Sequence, residues 1–338
     1  MVLYAGIDLH ANHSVGSIID EQDHRVYQKR LRTELPEMLQ ALAPYQAALQ
    51  GVVVESTYNW YWLVDGLLEA GYRVHLANTA ALQQYEGLQY TADHSAARGL
   101  AHLLRLGILP PGYIDPVAER AVRDLLRKRS QLVRQKTANR LSIENGLTRN
   151  PGLTFSGNRS KQRSEGEGEQ GLPVSEIALA VKSTLAVLGC LEEQIESVER
   201  AVLERAKGKE VFQSLLTVRG SGHSLGLTIL RETGTVDRFA RGGQFAAYCR
   251  CVGRQKLRNG KRKGEGNTKN GNKYLAWAVV EAANFALRYN PRIRRFYQRK
   301  QAKTNGVVAL KAVAHKWARA GYYGMRDQGP FAVNKAFA

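Results

Sequence analysis

The feature that most constrains the fold is a pair of short apolar runs, each ending in a carboxylate. VLYAGID (residues 2–8) reads as a buried strand and GVVVE (residues 51–55) as a second, fully apolar one. Buried strands belong to a sheet with helices packed on it, so the N-terminal region is expected to be a layered α/β domain. VGSIID (15–20) and HRVYQKRL (24–31) read as two more strands, the first meeting VLYAGID in a hairpin at residues 10–12. Residues 34–49 carry helical periodicity, with Leu35, Met38, Leu39, Leu42 and Leu49 on one face. Residues 58–70 read as a helix closed by Gly71, and YRVHLAN (72–78) as a further strand.

Three strands, helix, strand, helix, strand is the order of an RNase H-like fold with mixed strand pairing. Within it Asp8 ends the first strand, Glu55 ends the GVVVE strand, and Asp93 opens a helical segment at 93–107. Carboxylates at strand and helix ends are exposed at a sheet edge, where a substrate can reach them. Three together repel one another unless a hard cation neutralises them, and Mg2+ prefers oxygen ligands. Such ions stabilise the attacking and leaving oxygens of phosphoryl transfer. Taken singly, each acid has a plainer use: a turn cap at Asp8, a solvated strand end at Glu55, a helix N-cap at Asp93.

Beyond residue 116 the pattern turns helical. Residues 117–147 read as one long, charged helix containing Ala121, Leu125, Leu132, Ala138 and Leu141. Residues 151–173 are rich in Gly, Ser and charge, lack periodicity, and read as a mobile loop. From Val174 through Ile177, Val181, Thr184, Leu188, Leu191, Ile195, Val198 and Val202 the steps are three and four, a heptad seam. An antiparallel coiled-coil arm and an ordinary helical hairpin both fit that pair of helices. The expected class is α/β plus α, with parts at 1–116, 117–209 and 210–338.

The 338-residue chain carries a net charge of +19, and the charge is unevenly spread. Residues 1–115 sum to −5, residues 116–209 to +5 and residues 210–338 to +19. A surface that basic condenses on a polyanion and releases its counterions; a merely solubilising charge is the plainer alternative. No stretch approaches the ~18 apolar residues of a membrane span, and the N-terminus lacks a signal-like pattern. Cys190, Cys249 and Cys251 are too few and scattered for a disulfide framework or zinc site, and read as reduced thiols of a cytoplasmic protein.

Within the basic region, LTVRGSGHSLGLTILRETG (216–234) resembles a helix-hairpin-helix element. Its Gly220-Ser221-Gly222 turn would offer backbone N–H groups to a phosphate. Arg254, Lys256, Arg258, Lys261, Arg262, Lys263, Lys269 and Lys273 crowd one stretch that holds a single acid, Glu265. Its glycines and asparagines make it read as a flexible loop that orders on a phosphate track. Arg288, Arg292, Arg294, Arg295, Arg299, Lys300 and Lys303 follow as a stripe on one helix, with Tyr289, Phe296 and Tyr297 interleaved. Those aromatics either stack on bases or pack the core. Trp277 and Trp317 read as core, and the histidines show no ligand spacing.

AGIDLHANHSVGSIID, VVVESTYNWYWLVDGLLEAGYRVHLAN and YTADHSAARGLAHLLRLGILPPGYI combine with LLTVRGSGHSLGLTILRETG, RFARGGQFAAYCRCVG and NGKRKGEGNTKNGNKYLAWA. Together these resemble the DEDD-type insertion-sequence transposases, which act as bridge-RNA-guided recombinases, over essentially the whole chain. The resemblance implies a RuvC-like N-terminal domain, a coiled-coil middle and a C-terminal transposase domain. It implies a metal tetrad of Asp, Glu, Asp and Asp. Asp8, Glu55 and Asp93 match it, while the fourth position falls on Ala96, and alanine cannot ligate. It also implies a serine nucleophile that forms a 5′-phosphoserine link to DNA. No serine follows Ser224, and the matching element aligns at Arg258-Asn259-Gly260-Lys261, which puts Arg258 at the nucleophile position. Also implied are a structured guide RNA, donor and target double-stranded DNA, a tetramer of two dimers, and a bacterial cytoplasmic setting.

Three functions fit these residues. One is the RNA-guided recombinase. Another is a RuvC-like junction endonuclease needing only metal and water. The third is a noncatalytic RNA/DNA scaffold, which the missing acid at Ala96 favours.

Overall fold

In a computed structural model of the chain, both apolar runs are strands. The structure describes residues 1–82, 84–85, 93–149, 175–205, 210–217, 222–253, 255–259, 261–265, 269–330 and 333–337. They divide into two compact units, one made by Met1–Ile114 and the other by most of the remainder.

In the first unit, β1 (Leu3–Asp8), β2 (His13–Asp20) and β3 (Arg25–Arg32) form an antiparallel meander. β4 (Leu49–Glu55) pairs parallel with β1, and β5 (Val74–Ala77) parallel with β4. The resulting order, β3-β2-β1-β4-β5, is compatible with an RNase H-like fold. Side chains alternate across the strands, so each strand feeds two cores. Leu3, Ala5, Ile7, Val52 and Val54 bury against Met38 and Leu42 of α1 (Leu35–Leu42) and Leu63, Val64 and Leu67 of α2 (Tyr61–Glu69). On the opposite face, Val53 and Ala77 pack with Leu82 of α3 (Thr79–Leu82) and with Leu100 and Leu103 of α4 (Asp93–Arg105).

The helix expected over 34–49 is shorter than its periodicity implied. α1 stops at Leu42, Ala43–Ala48 tighten into a 3-10 turn, and Leu49 already belongs to β4. Pro44 is the cause: it lacks an N–H and its ring clashes with the carbonyl four residues back. Gly71 closes the second helix as expected, at φ 84.

The second unit is almost entirely helical. α5 (Val117–Arg149) and α6 (Ser175–Glu204) run antiparallel. Arg129 pairs with Glu199 near one end, Lys136 and Arg140 pair with Glu192 in the middle, and Ile143 and Leu147 pack with Val181 and Leu188 at the other end. On α6 the buried positions are Val181, Leu188, Ile195 and Val202, one per heptad. On α5 they are Val122, Leu126, Ile143 and Leu147, whereas Ala121, Ala138 and Leu141 are exposed. The loop expected at 151–173 lies outside the described residues.

There follow α7 (Glu210–Leu216), α8 (His223–Thr233), α9 (Gly242–Tyr248), the strands β6 (Gln255–Arg258) and β7 (Lys261–Glu265), α10 (Lys273–Tyr289), α11 (Pro291–Gln301), α12 (Gly306–Arg326) and α13 (Val333–Ala336). Their core gathers Ile229, Phe245, Leu275, Val279, Val313 and Trp317 around small residues, Ala282, Ala283 and Ala314 among them. Trp317 is fully buried as expected, but Trp277 is 41% exposed. The inward stripe of α10 runs through Leu275, Ala278, Val279, Ala282, Ala283 and Ala286, and position 277 falls outside it. The basic stripe expected on one helix is divided between two, because Pro291 ends α10 and Asn290 caps α11 by accepting from the Arg292 and Ile293 amides. All three cysteines are free thiols, and burial pushes Cys251 up to about 12. Among the described residues no helix is long and apolar enough to cross a membrane.

Candidate active site

Alternation along β1 puts Gly6 and Asp8 on one face, and alternation along β4 puts Gly51, Val53 and Glu55 on that same face. It is the face that α4 covers. A side chain at Gly6 would run into the Ala97 carbonyl and Ala101 amide, and one at Gly51 would meet Leu104 at 3.2 Å. Gly6 is in register with Val53, and Tyr4 with Gly51. From Ala97 to Leu104, α4 therefore descends antiparallel to both strands. Its N-terminus comes to the edge where β1 and β4 end. Positions 93 and 96 lie one helical turn before the sheet-facing Ala97 and Leu100, in the first turn of α4.

Asp8 and Glu55 meet at that edge. Asp8 is only 4% exposed. Burial holds the Glu55 carboxyl above its ordinary range; the charge of Asp8 and a hydrogen bond to it raise it further, against a smaller opposing pull from His10. Two carboxyls in hydrogen-bond contact, Asp8 buried and Glu55 half-buried, share either a proton or a cation, and an all-oxygen donor set fits a hard divalent ion. The backbone hydrogen bond from Ser56 N to the Ala77 carbonyl (3.1 Å) and the Ser56–Thr79 hydroxyl pair (3.0 Å) fix the end of β4 beside β5. Among the described residues no group of three or more His, Cys, Asp or Glu forms a ready metal cluster. The pair Asp8–Glu55 is brought together; Asp93 stands at the first position of α4, and its side chain lies outside what the structure describes.

Sequence reasoning passed over His10. Its Nε2 lies 3.2 Å from Asp8 Oδ2. The loop holding it is tied at both peptide groups: the His10 amide donates to Ser14 Oγ (3.4 Å) and its carbonyl accepts from Thr33 Oγ1 (3.0 Å), the two hydroxyls bonding each other at 2.8 Å. The signal was the Asp-Leu-His spacing, which returns the imidazole to the side of Asp8.

In the second unit, the stretch expected to be a flexible loop contains a β-hairpin. β6 and β7 pair antiparallel, with Arg258 opposite Lys261 and an irregularity at Lys256/Leu257. Asn259 stands between them at φ 51, the left-handed conformation that a two-residue Asn-Gly turn requires. Lys256 and Arg258 lie on β6, and Lys261, Arg262 and Lys263 on β7; Arg254 and Gly260 lie outside the described residues. Lys269 is exposed, and Lys273 opens α10 with its amine 5.0 Å from the Tyr274 ring. Gly222 caps α8 in an extended conformation, φ −63, while Gly220 lies outside the described residues.

Arg294, read as a nucleic-acid contact, is exposed and donates to the Leu287 and Arg288 carbonyls at 2.9 and 2.8 Å. It completes the end of α10. Arg295 is exposed. The aromatics divide: Tyr289 is 57% exposed, and Phe296 packs edge-on against Phe337.

Comparison with known proteins finds one family in both halves of the chain. Residues 5–149 match the model of the DEDD transposases of the IS110 type, and residues 213–298 that of the Transposase IS116/IS110/IS902 family. The chain is 26% identical over 317 residues to the probable family 20 transposase of Pseudomonas aeruginosa, an alignment covering 89% of this chain and 90% of that one. It is 30% identical over 183 residues to the transposase for insertion sequence element IS1111A of Coxiella burnetii, covering 51% of this chain and 48% of that protein. The first model spans Asp8, Glu55 and Asp93, and the second spans the basic hairpin. The chain belongs to the IS110-type family of DEDD transposases.

Proposed function

We propose that this chain is an RNA-guided DNA recombinase of an insertion sequence, with Asp8, Glu55 and Asp93 as its cation ligands and with strand cleavage weakened at Ala96. The observation that carries the reading is the hydrogen-bonded Asp8–Glu55 pair at adjacent strand ends, on the sheet face that α4 covers. Bound there, Mg2+ supplies charge stabilisation to the oxygens of a scissile phosphate. Asp8 and Glu55 hold that charge, and His10 keeps the Asp8 carboxylate oriented through its 3.2 Å contact.

The cations of the hairpin, Lys256, Arg258, Lys261, Arg262 and Lys263, hold phosphate backbones, aided by Gly222, Lys269, Lys273 and Arg295. The α5–α6 pair acts as a coiled-coil arm through which copies assemble, as a tetramer on donor and target DNA. A structured bridge RNA selects sequence by base pairing while the protein holds backbones. RuvC-like describes the first part, residues 1–116, and the setting is the bacterial cytoplasm.

Two positions support an impaired enzyme. Ala96 cannot ligate, and Arg258 has no hydroxyl with which to form a phosphoserine link. They also favour a second reading, a scaffold that assembles RNA and DNA without cutting.

A strand-transfer assay with Mg2+, cognate RNA and both DNAs tests the proposal on this chain and on Ala96→Asp. Restoring the acid should raise cleavage about 10-fold or more, the usual scale of a metal-site defect, and Asp8→Asn should remove the gain. Cleavage that ignores both substitutions would exclude the acid site. Free 5′-phosphate ends without joined strands would point to a junction nuclease, and no cutting by either version to the scaffold.

A further inference from the structure

A cleft lies at the far end of α12, away from both the acid pair and the hairpin in sequence. It encloses about 670 Å³ between α12 and α13, and its lining includes His315, Lys316, Arg319, Tyr323, Asp327 and Lys335. Positions 315, 319 and 323 step by four, so one face of α12 makes the wall.

The charges of that lining are not equivalent. The Lys316 amine donates to the Ala336 carbonyl at 2.7 Å and lies over the Phe296 and Phe337 rings, 5.0 and 5.8 Å from their centroids. It fastens α13 to α12. Asp327, the one acid, accepts two hydrogen bonds from Arg326 (2.7 and 3.2 Å), which lower its carboxyl below the usual range. That pair is neutral. Arg319 and Lys335 remain, and neither has a carboxylate partner among the described residues.

Two cations at one cleft repel each other until an anion enters. Burial, with the charges of Arg319 and Lys316, lowers the His315 imidazole below its ordinary range, so it adds hydrogen-bonding capacity more than charge. Tyr323, 41% exposed, has the Arg326 guanidinium 4.9 Å from its ring centroid and borders the same cleft.

We infer that Arg319 and Lys335 form a phosphate-binding site for a DNA strand, outside the hairpin. The inference rests on the reading that residues 210–338 hold nucleic acid. A phosphodiester fits better than a small carboxylate, because the space is open and large and an aromatic wall stands beside the cations to meet a sugar or base.

The test measures binding of the full chain to a labelled DNA duplex across a salt series. Each phosphate contact contributes roughly 0.9 to the slope of log K against log salt. Arg319→Gln with Lys335→Gln should lower that slope by about 1.8, and Lys335→Gln alone by about 0.9. Lys29→Gln with Arg30→Gln removes the same charge from exposed positions on β3 and should change it far less. Equal changes in the cleft and β3 variants would overturn the site, leaving only net charge. A slope lost for RNA but kept for DNA would overturn the DNA assignment, and full competition by millimolar inorganic phosphate would reduce it to a free-anion site. Absence of salt-dependent DNA binding by the parent chain would instead sink the nucleic-acid reading on which the inference rests.

Discussion

Gly6 determines how closely α4 approaches the acids. Its backbone is in the ordinary β region, so the restriction is one of space alone: a Cβ there meets backbone atoms of Ala97 and Ala101, which cannot yield without lifting the helix. Gly6→Ala should therefore cost about 1–3 kcal/mol, the range for overpacking. Gly99, on the same helix, has nothing within 4 Å of its would-be Cβ. Gly99→Ala should stabilise by roughly 0.5–1 kcal/mol through helix propensity. Urea unfolding of the two variants checks the pair, and equal effects would mean that α4 does not pass over Gly6. Asp8 and Glu55 were legible because a carboxylate closing an apolar strand has one place to go. His10 was not, because its position depends on Ser14 and Thr33 meeting across a strand pair. Trp277 misled for a different reason: size alone implied burial, and only the 3,4 stepping of its neighbours reveals the outward face.

At the scale of elements, α6 was the most readable. Its heptad places Leu188 inward and Val187, 48% exposed, outward. Leu188→Ala should cost about 2–5 kcal/mol by cavity formation, and Val187→Ala should stay within about 0.5 kcal/mol. Chemical denaturation monitored by helical circular dichroism separates them, and similar losses would refute the α5–α6 register. The partner face of α5 was hidden by its charge: Arg129, Lys136 and Arg140 look like a solvated surface until Glu199 and Glu192 are opposite them. Two local signals outranked periodicity. Pro44 cut short a helix whose apolar spacing continued past it. Asn259-Gly260 marked a hairpin, yet its flanks are basic instead of alternately apolar, so the turn was read as loop composition.

Across the whole molecule, charge and core divide differently along the chain. The charge profile has three levels, but the α5–α6 pair shares a core with α7 and α8 through Val122, Leu126, Val202, Phe212 and Leu227. Arg127 reinforces that junction with two 2.7 Å hydrogen bonds to the buried Glu232, which also accepts from Asn272 at the start of α10. Sequence could not reveal this, because Arg127 and Glu232 are 105 positions apart and each looks solvated alone. Residues 1–114, by contrast, own a separate core and the acid pair. Scanning calorimetry should accordingly resolve two transitions that respond to different ligands. A divalent cation at 100 times its dissociation constant should stabilise the first unit by about 2.7 kcal/mol, roughly 10 °C for a domain near this size, and Asp8→Asn should abolish the shift. Duplex DNA should raise the transition of the basic unit and survive that substitution. A cation that moved both transitions together, or moved either one in the Asp8→Asn chain, would place its binding somewhere other than the strand ends of β1 and β4.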